Sequence, residues 1–135
     1  MLKLLYQTMR ALINDKIPNR LIRYIYELKA ICINGEAPQV FQCVVCGDTE
    51  RPGQFSTLKG GKVCTRCMQD VYDGLELDPS TWYTLQYIES AKVEHLYNFT
   101  VSDLVLRELA MVMGRYTDVY VDHQFKSLEI LKLMT

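Results

Sequence analysis

Two Cys-x-x-Cys pairs are the residues of this chain whose type and spacing best support a chemical role. Cys43 pairs with Cys46, Cys64 pairs with Cys67, and Gly47 follows the first pair. A two-residue spacer lets both sulfurs of a pair approach one metal ion at about 2.3 Å while backbone N–H groups of the turn point at the thiolates. The two pairs therefore predict one zinc ion held by four thiolates. That coordination is closed to substrate, so the metal is predicted to be structural.

Two other uses of these cysteines stay open on spacing alone. Two disulfides would satisfy the four thiols, but no secretory segment is recognised at the start of the sequence and a fifth cysteine would be left over. A rubredoxin-like iron site shares the Cys-x-x-Cys-Gly form, but it needs a compact redox domain around the metal, whereas helical patterns flank this one. Cys32 lies on the apolar face of a predicted helix and is expected to be a buried thiol that binds no metal.

The chain between the two pairs is expected to fold as a small hairpin, with its turn at Gly60-Gly61. Three apolar side chains are expected to pack over the metal: Phe55, Leu58 and Val63. The resulting lobe, at about residues 40–68, is too small to bury a core of its own, so the metal should supply its folding energy. The flanking helices have apolar stripes of their own and are expected to stay formed when a Cys64→Ser substitution loosens the lobe.

Hydrophobic periodicity predicts two helices before the lobe. The first covers residues 2–14, and its predicted core stripe consists of Leu2, Leu5, Met9 and Leu12/Ile13. The second runs from Pro18 to about Asn34 and is stopped by Gly35. Its predicted core face consists of Leu21, Ile25, Leu28 and Cys32. Its predicted solvated face contains Arg20, Arg23 and Lys29.

Four further helices are predicted after the lobe. Residues 68–77 are expected to form a short one, and Asp78-Pro79-Ser80 starts the next with Asp78 or Ser80 as its cap. The segment from Thr100 to Asp103 opens the longest helix. Its predicted core positions are Val105, Leu109, Val112, Tyr116 and Val119/Tyr120. A last short helix is predicted from Leu128, Leu131 and Met134.

The fold class that follows is mainly α: a helical bundle with an inserted four-cysteine zinc ribbon. No internal repeat and no linker divides the sequence, so residues 1–135 are expected to form a single domain. Apolar residues make up 49% of the chain and charged residues 23%, which is typical of a globular protein and not of a disordered one. No apolar run approaches the roughly 18 residues that a membrane span needs. The sequence predicts a reduced, cytoplasmic location.

Charge is distributed unevenly along the chain. Residues 1–67 contain ten Lys or Arg and five acids, a balance of +5, whereas residues 68–135 contain five and eleven, a balance of −6. Four thiolates around Zn²⁺ would subtract charge from the first half, so a strongly basic nucleic-acid domain is not indicated. A weaker basic face is predicted on the lobe. Its candidate phosphate contacts are Lys59, Lys62 and Arg66.

The sequence shows no catalytic arrangement. His95 and His123 lie far apart and neither follows a metal-ligand spacing, so each is expected to be an ordinary surface or half-buried residue. Neither a phosphate-cradling glycine loop nor a nucleophile elbow is present. The sequence therefore favours a protein that is not an enzyme.

The ordered combination of these features resembles the C-terminal part of the bacterial RecO family of DNA repair and recombination mediators. The residues that carry the resemblance are Leu21–Leu28, Asn34-Gly35-x-x-Pro38, Cys43-Val-Val-Cys46-Gly47, Phe55 with Gly60-Gly61, Val63-Cys64-x-x-Cys67 and Phe125-Lys126-Ser127-Leu128. The resemblance covers nearly the whole chain and is far more specific than any one motif. RecO normally begins with an OB-fold domain, whereas no β-rich stretch precedes Leu2, so the chain is expected to represent the helical and zinc-ribbon portion.

The resemblance implies a role without bond-making chemistry. RecO-like proteins bind single- and double-stranded DNA, anneal complementary strands, bind the single-stranded DNA-binding protein SSB, and with RecR help load RecA on SSB-coated DNA. A bacterial, nucleoid-associated location also follows. SSB has a flexible acidic tail that ends in an apolar residue with a free carboxylate, so its receptor needs an apolar slot rimmed by fixed positive charge. The candidate partner-binding residues are Arg20 and Arg23 on the second helix, with Arg10 nearby on the first.

Two functions of other classes stay open. A stand-alone zinc-ribbon adaptor would bind protein partners only, and it would lack a salt-dependent affinity for DNA. A redox protein would bind iron, and it would show colour and a reversible iron signal.

Overall fold

A computed structural model describes residues 2–14 and 16–124, with the backbone alone described at Asp70 and at residues 120–124. The helices are α1 (Leu2–Asn14), α2 (Asn19–Ile33), α3 (Pro79–Ser90) and α4 (Asp103–Gln124). The strands are β1 (Gly53–Ser56), β2 (Gly61–Cys64) and β3 (Leu75–Glu76), and short 3₁₀ turns cover Thr65–Asp70 and Val93–His95. The prediction of a mainly α fold with an inserted four-cysteine ribbon is confirmed. The helix predicted from Leu128, Leu131 and Met134 lies outside the described residues.

The helix boundaries follow the capping residues of the sequence. The Asp78 carboxylate accepts a hydrogen bond of 2.9 Å from the backbone N–H of Ser80, and Pro79 occupies the first turn of α3, as predicted. Gly35 has a φ of +79°, a conformation that glycine adopts without the steric penalty of a Cβ atom, and it ends α2. The N–H of Gly35 donates to the carbonyl of Cys32 over 3.0 Å.

Helix α2 lies at the centre of the bundle and packs against α1, α3 and α4. Its fully buried apolar side chains are Leu21, Ile22, Ile25, Leu28 and Ile31. The prediction that Lys29 lies on a solvated face is wrong, because this residue is only 8% exposed. Its ammonium group donates to the carbonyl oxygens of Glu89 over 3.2 Å and Ala91 over 2.6 Å, and so satisfies acceptors at the carboxyl end of α3.

The buried face of α1 differs from the predicted one. Leu4, Thr8 and Ala11 face the core, and the Thr8 hydroxyl shares a hydrogen bond of 2.6 Å with the hydroxyl of Tyr97. The predicted stripe is exposed, with Leu2 at 84%, Leu5 at 44%, Met9 at 54%, Leu12 at 45% and Ile13 at 78%. The observed and the predicted face each contain residues at helical spacing. Periodicity shows which side chains share a face, but it does not show which face packs against α2.

The four-cysteine ribbon shares its core with the helices. Phe55 is fully buried between Trp82 of α3 and Tyr116 of α4, with both ring centroids 6.3 Å from its own. The same core cluster includes Val40, Leu75 and Leu77 together with side chains of all four helices. Val63 is also buried, but Leu58 is 77% exposed at the hairpin turn. The prediction that Leu58 packs over the metal is therefore wrong.

Residues 68–77 do not form the predicted helix, because residues 68–70 belong to a 3₁₀ turn and Leu75–Glu76 form a third strand. After the 3₁₀ turn Thr65–Asp70, β3 pairs antiparallel with β1, and the sheet order is β2-β1-β3. The Asp73 carboxylate accepts hydrogen bonds from the hydroxyl of Ser56 at 2.7 Å and from the backbone N–H of Leu58 at 2.9 Å. These contacts attach the segment to the hairpin formed by β1 and β2, and this nonlocal pairing overrides the local helical pattern. None of the helices in the described part of the chain is long and apolar enough to cross a membrane.

Candidate metal centre

Two turns bring the four cysteines together. The first knuckle is closed by hydrogen bonds from the backbone N–H of Cys43 to the carbonyl of Asp48 and from that of Gly47 to the carbonyl of Cys43, each 2.9 Å long. Gly47 has a φ of +81°, which this tight turn requires. The second pair lies where β2 ends at Cys64 and the 3₁₀ turn containing Cys67 begins. The hairpin turn at Gly60-Gly61, where Gly60 has a φ of +84°, returns the second pair to the first, as predicted.

The sulfur positions fit a tetrahedral metal ion. All four Sγ atoms lie within 4.8 Å of one another, and those of Cys46 and Cys64 are 3.6 Å apart. A regular tetrahedron with metal–sulfur bonds of about 2.3 Å has sulfurs separated by about 3.8 Å. One ion can therefore contact all four sulfurs with little rearrangement.

The charge properties of the cluster also fit a cation. Burial opposes ionisation of the Cys43 thiol, but hydrogen bonds from backbone N–H groups, including those of Cys64 and Val45 at 3.4 Å each, lower its pKa to about 6. Burial, together with hydrogen bonds to the other sulfurs, raises the pKa of Cys67 to about 12. Ionisation is favoured at Cys43 and opposed at Cys67, and a bound cation would favour the thiolate form of Cys67.

Cys32 lies apart from this cluster. The four-cysteine group found among the described residues does not include it. The pKa of the Cys32 thiol is raised to about 12, mainly by burial and to a smaller extent by the nearby Glu89 side chain. Cys67 has a similarly raised pKa, so the position of Cys32 outside the cluster, and not the pKa of its thiol, separates it from the four clustered cysteines.

The three candidate DNA contacts have different surroundings. Lys59 and Arg66 are exposed, at the hairpin turn and in the turn after β2. Lys62 is half-buried, and its ammonium nitrogen lies 5.6 Å from the ring centroid of Trp82. Lys62 therefore contributes a cation–π contact to the junction of ribbon and helices.

The three candidate partner-binding arginines do not line one cleft. Arg10 lines a cleft of about 250 Å³ between α1 and the Val93–His95 turn. Arg23 lines another, of about 270 Å³, between α2 and α4, and its Nε donates to the buried Glu27 carboxylate at 2.8 Å. Arg20 is exposed on α2, within 3.5 Å of the Tyr24 hydroxyl.

Sequence reasoning missed Lys16, a second cation in the cleft that contains Arg10. One signal for Lys16 was present in the sequence, which is its position in the turn between α1 and α2. A turn that joins two packed helices lies beside their ends, so its side chains can reach a cleft there. Of the two histidines, His95 is exposed, and the side chain of His123 lies outside the described residues.

Comparison with known proteins places this chain in a family. Residues 1–129 match the family model described as Recombination protein O C terminal. The chain is 31% identical over 121 residues to a DNA repair protein RecO from Acetivibrio thermocellus, an overlap of 89% of this chain and 48% of that protein. It is 28% identical over 132 residues to a DNA repair protein RecO from Bacillus pumilus, covering 98% of this chain and 51% of that protein.

A third relative, a DNA repair protein RecO from Thermoanaerobacter sp., is 30% identical over 106 residues, which are 78% of this chain and 43% of that protein. The chain thus spans about half the length of the curated relatives it matches. No solved structure gives a significant match. The match of the family model over nearly the entire sequence shows that the chain belongs to the RecO family of DNA repair proteins and corresponds to its C-terminal part.

Proposed function

We propose that this chain is the zinc-binding C-terminal part of a non-enzymatic recombination mediator. In this role it binds single- and double-stranded DNA, supports strand annealing, and with RecR helps load RecA on SSB-coated single strands. The observation that carries the proposal is the family match over residues 1–129. Such a role places the protein in the bacterial cytoplasm, at the nucleoid. Residues 1–135 act as one domain in this proposal, because the ribbon and the helices share core residues.

One structural zinc ion is proposed at Cys43, Cys46, Cys64 and Cys67. The four sulfurs surround a volume of the right size, and backbone N–H groups already point at Cys43. When bound, the ion would supply a divalent charge that keeps the four thiolates ionised and ties the two knuckles together. The residues themselves position the sulfurs and close the ribbon, and they leave no ligand position for chemistry on a substrate.

DNA binding is proposed to use the exposed cations of the ribbon. Lys59 and Arg66 are free of the packing role that Lys62 has against Trp82, so their charges can approach phosphates directly. The formal net charge of the chain is only −1, so we expect weak binding that depends strongly on salt.

Reversing both charges in a Lys59→Glu, Arg66→Glu variant is expected to weaken binding of single-stranded DNA about tenfold at about 50 mM salt. Each lost phosphate contact should also reduce the slope of log affinity against log salt by about 0.7. Fluorescence anisotropy with a labelled oligonucleotide at several salt concentrations measures both quantities. A Lys92→Glu, Arg107→Glu variant, which reverses two exposed charges outside the ribbon, is the matched control.

Equal weakening by the Lys92→Glu, Arg107→Glu variant would contradict the assignment of Lys59 and Arg66, because it would show a response to net charge only. A wild-type chain that fails to bind DNA would instead favour the adaptor that binds protein partners only. A reversible iron signal from the purified protein would favour the redox class.

Docking of the SSB tail is proposed at the cleft that contains Arg10. This cleft combines two cations, Arg10 and Lys16, with apolar surface from Ala11, Ile17 and Tyr97. The acid in its lining, Glu94, lies 3.7 Å from the ammonium group of Lys3. The alternative position at Arg23 is less suited, because Glu27 already offsets that charge. An apolar slot that contains two cations fits a terminal apolar residue and its carboxylate.

A labelled SSB tail peptide is expected to bind with a Kd of order micromolar and to bind at least tenfold more weakly to Arg10→Glu, because the carboxylate loses its charge-assisted partner. Arg23→Glu should have little effect, and deletion of the terminal apolar residue of the peptide should weaken binding as well. Fluorescence anisotropy measures all three. If Arg23→Glu weakens binding more than Arg10→Glu does, the site lies in the α2–α4 cleft instead. If deletion of the terminal apolar residue leaves the affinity unchanged, the peptide is attracted by charge alone.

A further inference from the structure

Tyr72 has the most exposed large hydrophobic side chain of the described residues. It lies in the loop between the Thr65–Asp70 turn and β3, and 93% of its surface is accessible. Neither the core nor the metal cluster uses its ring. The protein therefore leaves the ring uncovered and accessible to a ligand.

The loop that presents Tyr72 is held in place by the following residue. The Asp73 carboxylate accepts hydrogen bonds from Ser56 and Leu58 of the hairpin, and its backbone carbonyl accepts one of 3.4 Å from the Arg115 guanidinium on α4. Two separate segments, the hairpin and α4, therefore hold the residue next to Tyr72. A ring on such a support loses less conformational entropy on binding than one on a free loop.

Two cations lie on the segments that hold Asp73, the residue next to Tyr72. Lys59, whose backbone N–H donates to the Ser56 hydroxyl at 3.1 Å, is exposed on the hairpin turn that Asp73 contacts. Arg115 approaches from α4, and its side chain is also exposed. The patch thus combines an aromatic face with two positive charges, and the charge of Asp73 is directed into the hairpin through its two hydrogen bonds.

We propose that Tyr72 is a stacking platform for one unpaired base of single-stranded DNA, with the adjoining phosphates held by Lys59 and Arg115. The proposal rests on the DNA-binding function proposed above. It adds a residue that distinguishes unpaired bases from bases inside a duplex. An aromatic ring stacks on any base whose face is free, whereas bases inside a duplex have both faces covered by their neighbours. The site therefore selects single strands without selecting a sequence.

The test compares a thymidine oligonucleotide with an abasic oligonucleotide of the same length. Tyr72→Ala is expected to weaken binding of the thymidine strand about tenfold, since one stacked base contributes about 1–3 kcal/mol. The abasic strand should bind the wild type and Tyr72→Ala equally, and Tyr72→Phe should restore wild-type affinity for thymidine. Tyr83→Ala is the matched control, because Tyr83 is a second exposed tyrosine, at 69%, in α3.

Each outcome decides the proposal. Loss of thymidine affinity in Tyr72→Ala alone, with abasic binding unchanged, supports stacking at this ring. If Tyr72→Ala binds the thymidine strand as tightly as the wild type does, or if it loses the same affinity for both strands, the stacking site is overturned. The ribbon cations then remain as the DNA contact. A wild-type chain that binds neither strand overturns the DNA-binding function and the stacking site together.

Discussion

Replacing Cys64 with serine is expected to lower the melting temperature of the whole chain by about 10 °C or more, with the helices and the ribbon unfolding in one transition. The sequence alone predicts that the helices would survive this change. The structure changes that expectation because Cys64 ends β2, β2 pairs with β1, and β1 carries Phe55 into the helical core. Loss of the metal therefore exposes side chains that the helices also need.

Two measurements on the same sample test this coupling. Far-UV circular dichroism follows the helices, and the fluorescence of Trp82, the single tryptophan, follows the contact between α3 and the ribbon at Phe55. We expect both signals to change in one transition, at a lower temperature than in the wild type. Elemental analysis should give one zinc per chain in the wild type and markedly less in Cys64→Ser.

Cys32→Ala is the control for this experiment, because it removes a half-buried thiol that lies outside the metal cluster. It should keep the full metal content and cost about 1 kcal/mol. A Cys64→Ser protein with an unchanged helical transition would show that the ribbon folds independently. Wild-type protein without any bound metal would overturn the metal site.

Phe55→Ala is expected to lower the free energy of unfolding by about 3–5 kcal/mol, the usual cost of removing a fully buried aromatic side chain. The ring is completely inaccessible and contacts aromatic rings of α3 and α4, so its loss leaves a cavity where the ribbon meets two helices. Urea unfolding monitored by circular dichroism measures the change. If the slope of the free energy of unfolding against urea concentration is the same in Phe55→Ala and the wild type, the folded state stays compact.

Leu58→Ala provides the comparison for Phe55→Ala. Leu58 belongs to the same hairpin but is 77% exposed, so its removal should change the free energy of unfolding by less than about 0.5 kcal/mol. Similar costs for the two substitutions would mean that the hairpin does not anchor in the helical core as described. A large cost for Leu58→Ala alone would restore the expectation that Leu58 covers the metal.

The sequence by itself determined the features that depend on short stretches of chain. The spacing of Cys43, Cys46, Cys64 and Cys67 sufficed to predict the metal cluster, because each pair needs only a local turn. The starts and ends of helices followed from capping residues such as Asp78 and Gly35, whose hydrogen bonds and backbone conformation are equally local. The mainly α fold with an inserted ribbon was predictable for the same reason.

Only the tertiary structure decided which surfaces meet. Helix α1 buries Leu4 and leaves Leu5 and Met9 in solvent, although its periodicity allows either face. Lys29 is buried because the end of α3, 60 residues away along the chain, offers it carbonyl acceptors. Residues 75–76 form a strand because β1 is available to pair with them. Each of these outcomes depends on a partner that is distant in sequence, and the free energy of such contacts is set by packing in three dimensions and not by local propensity.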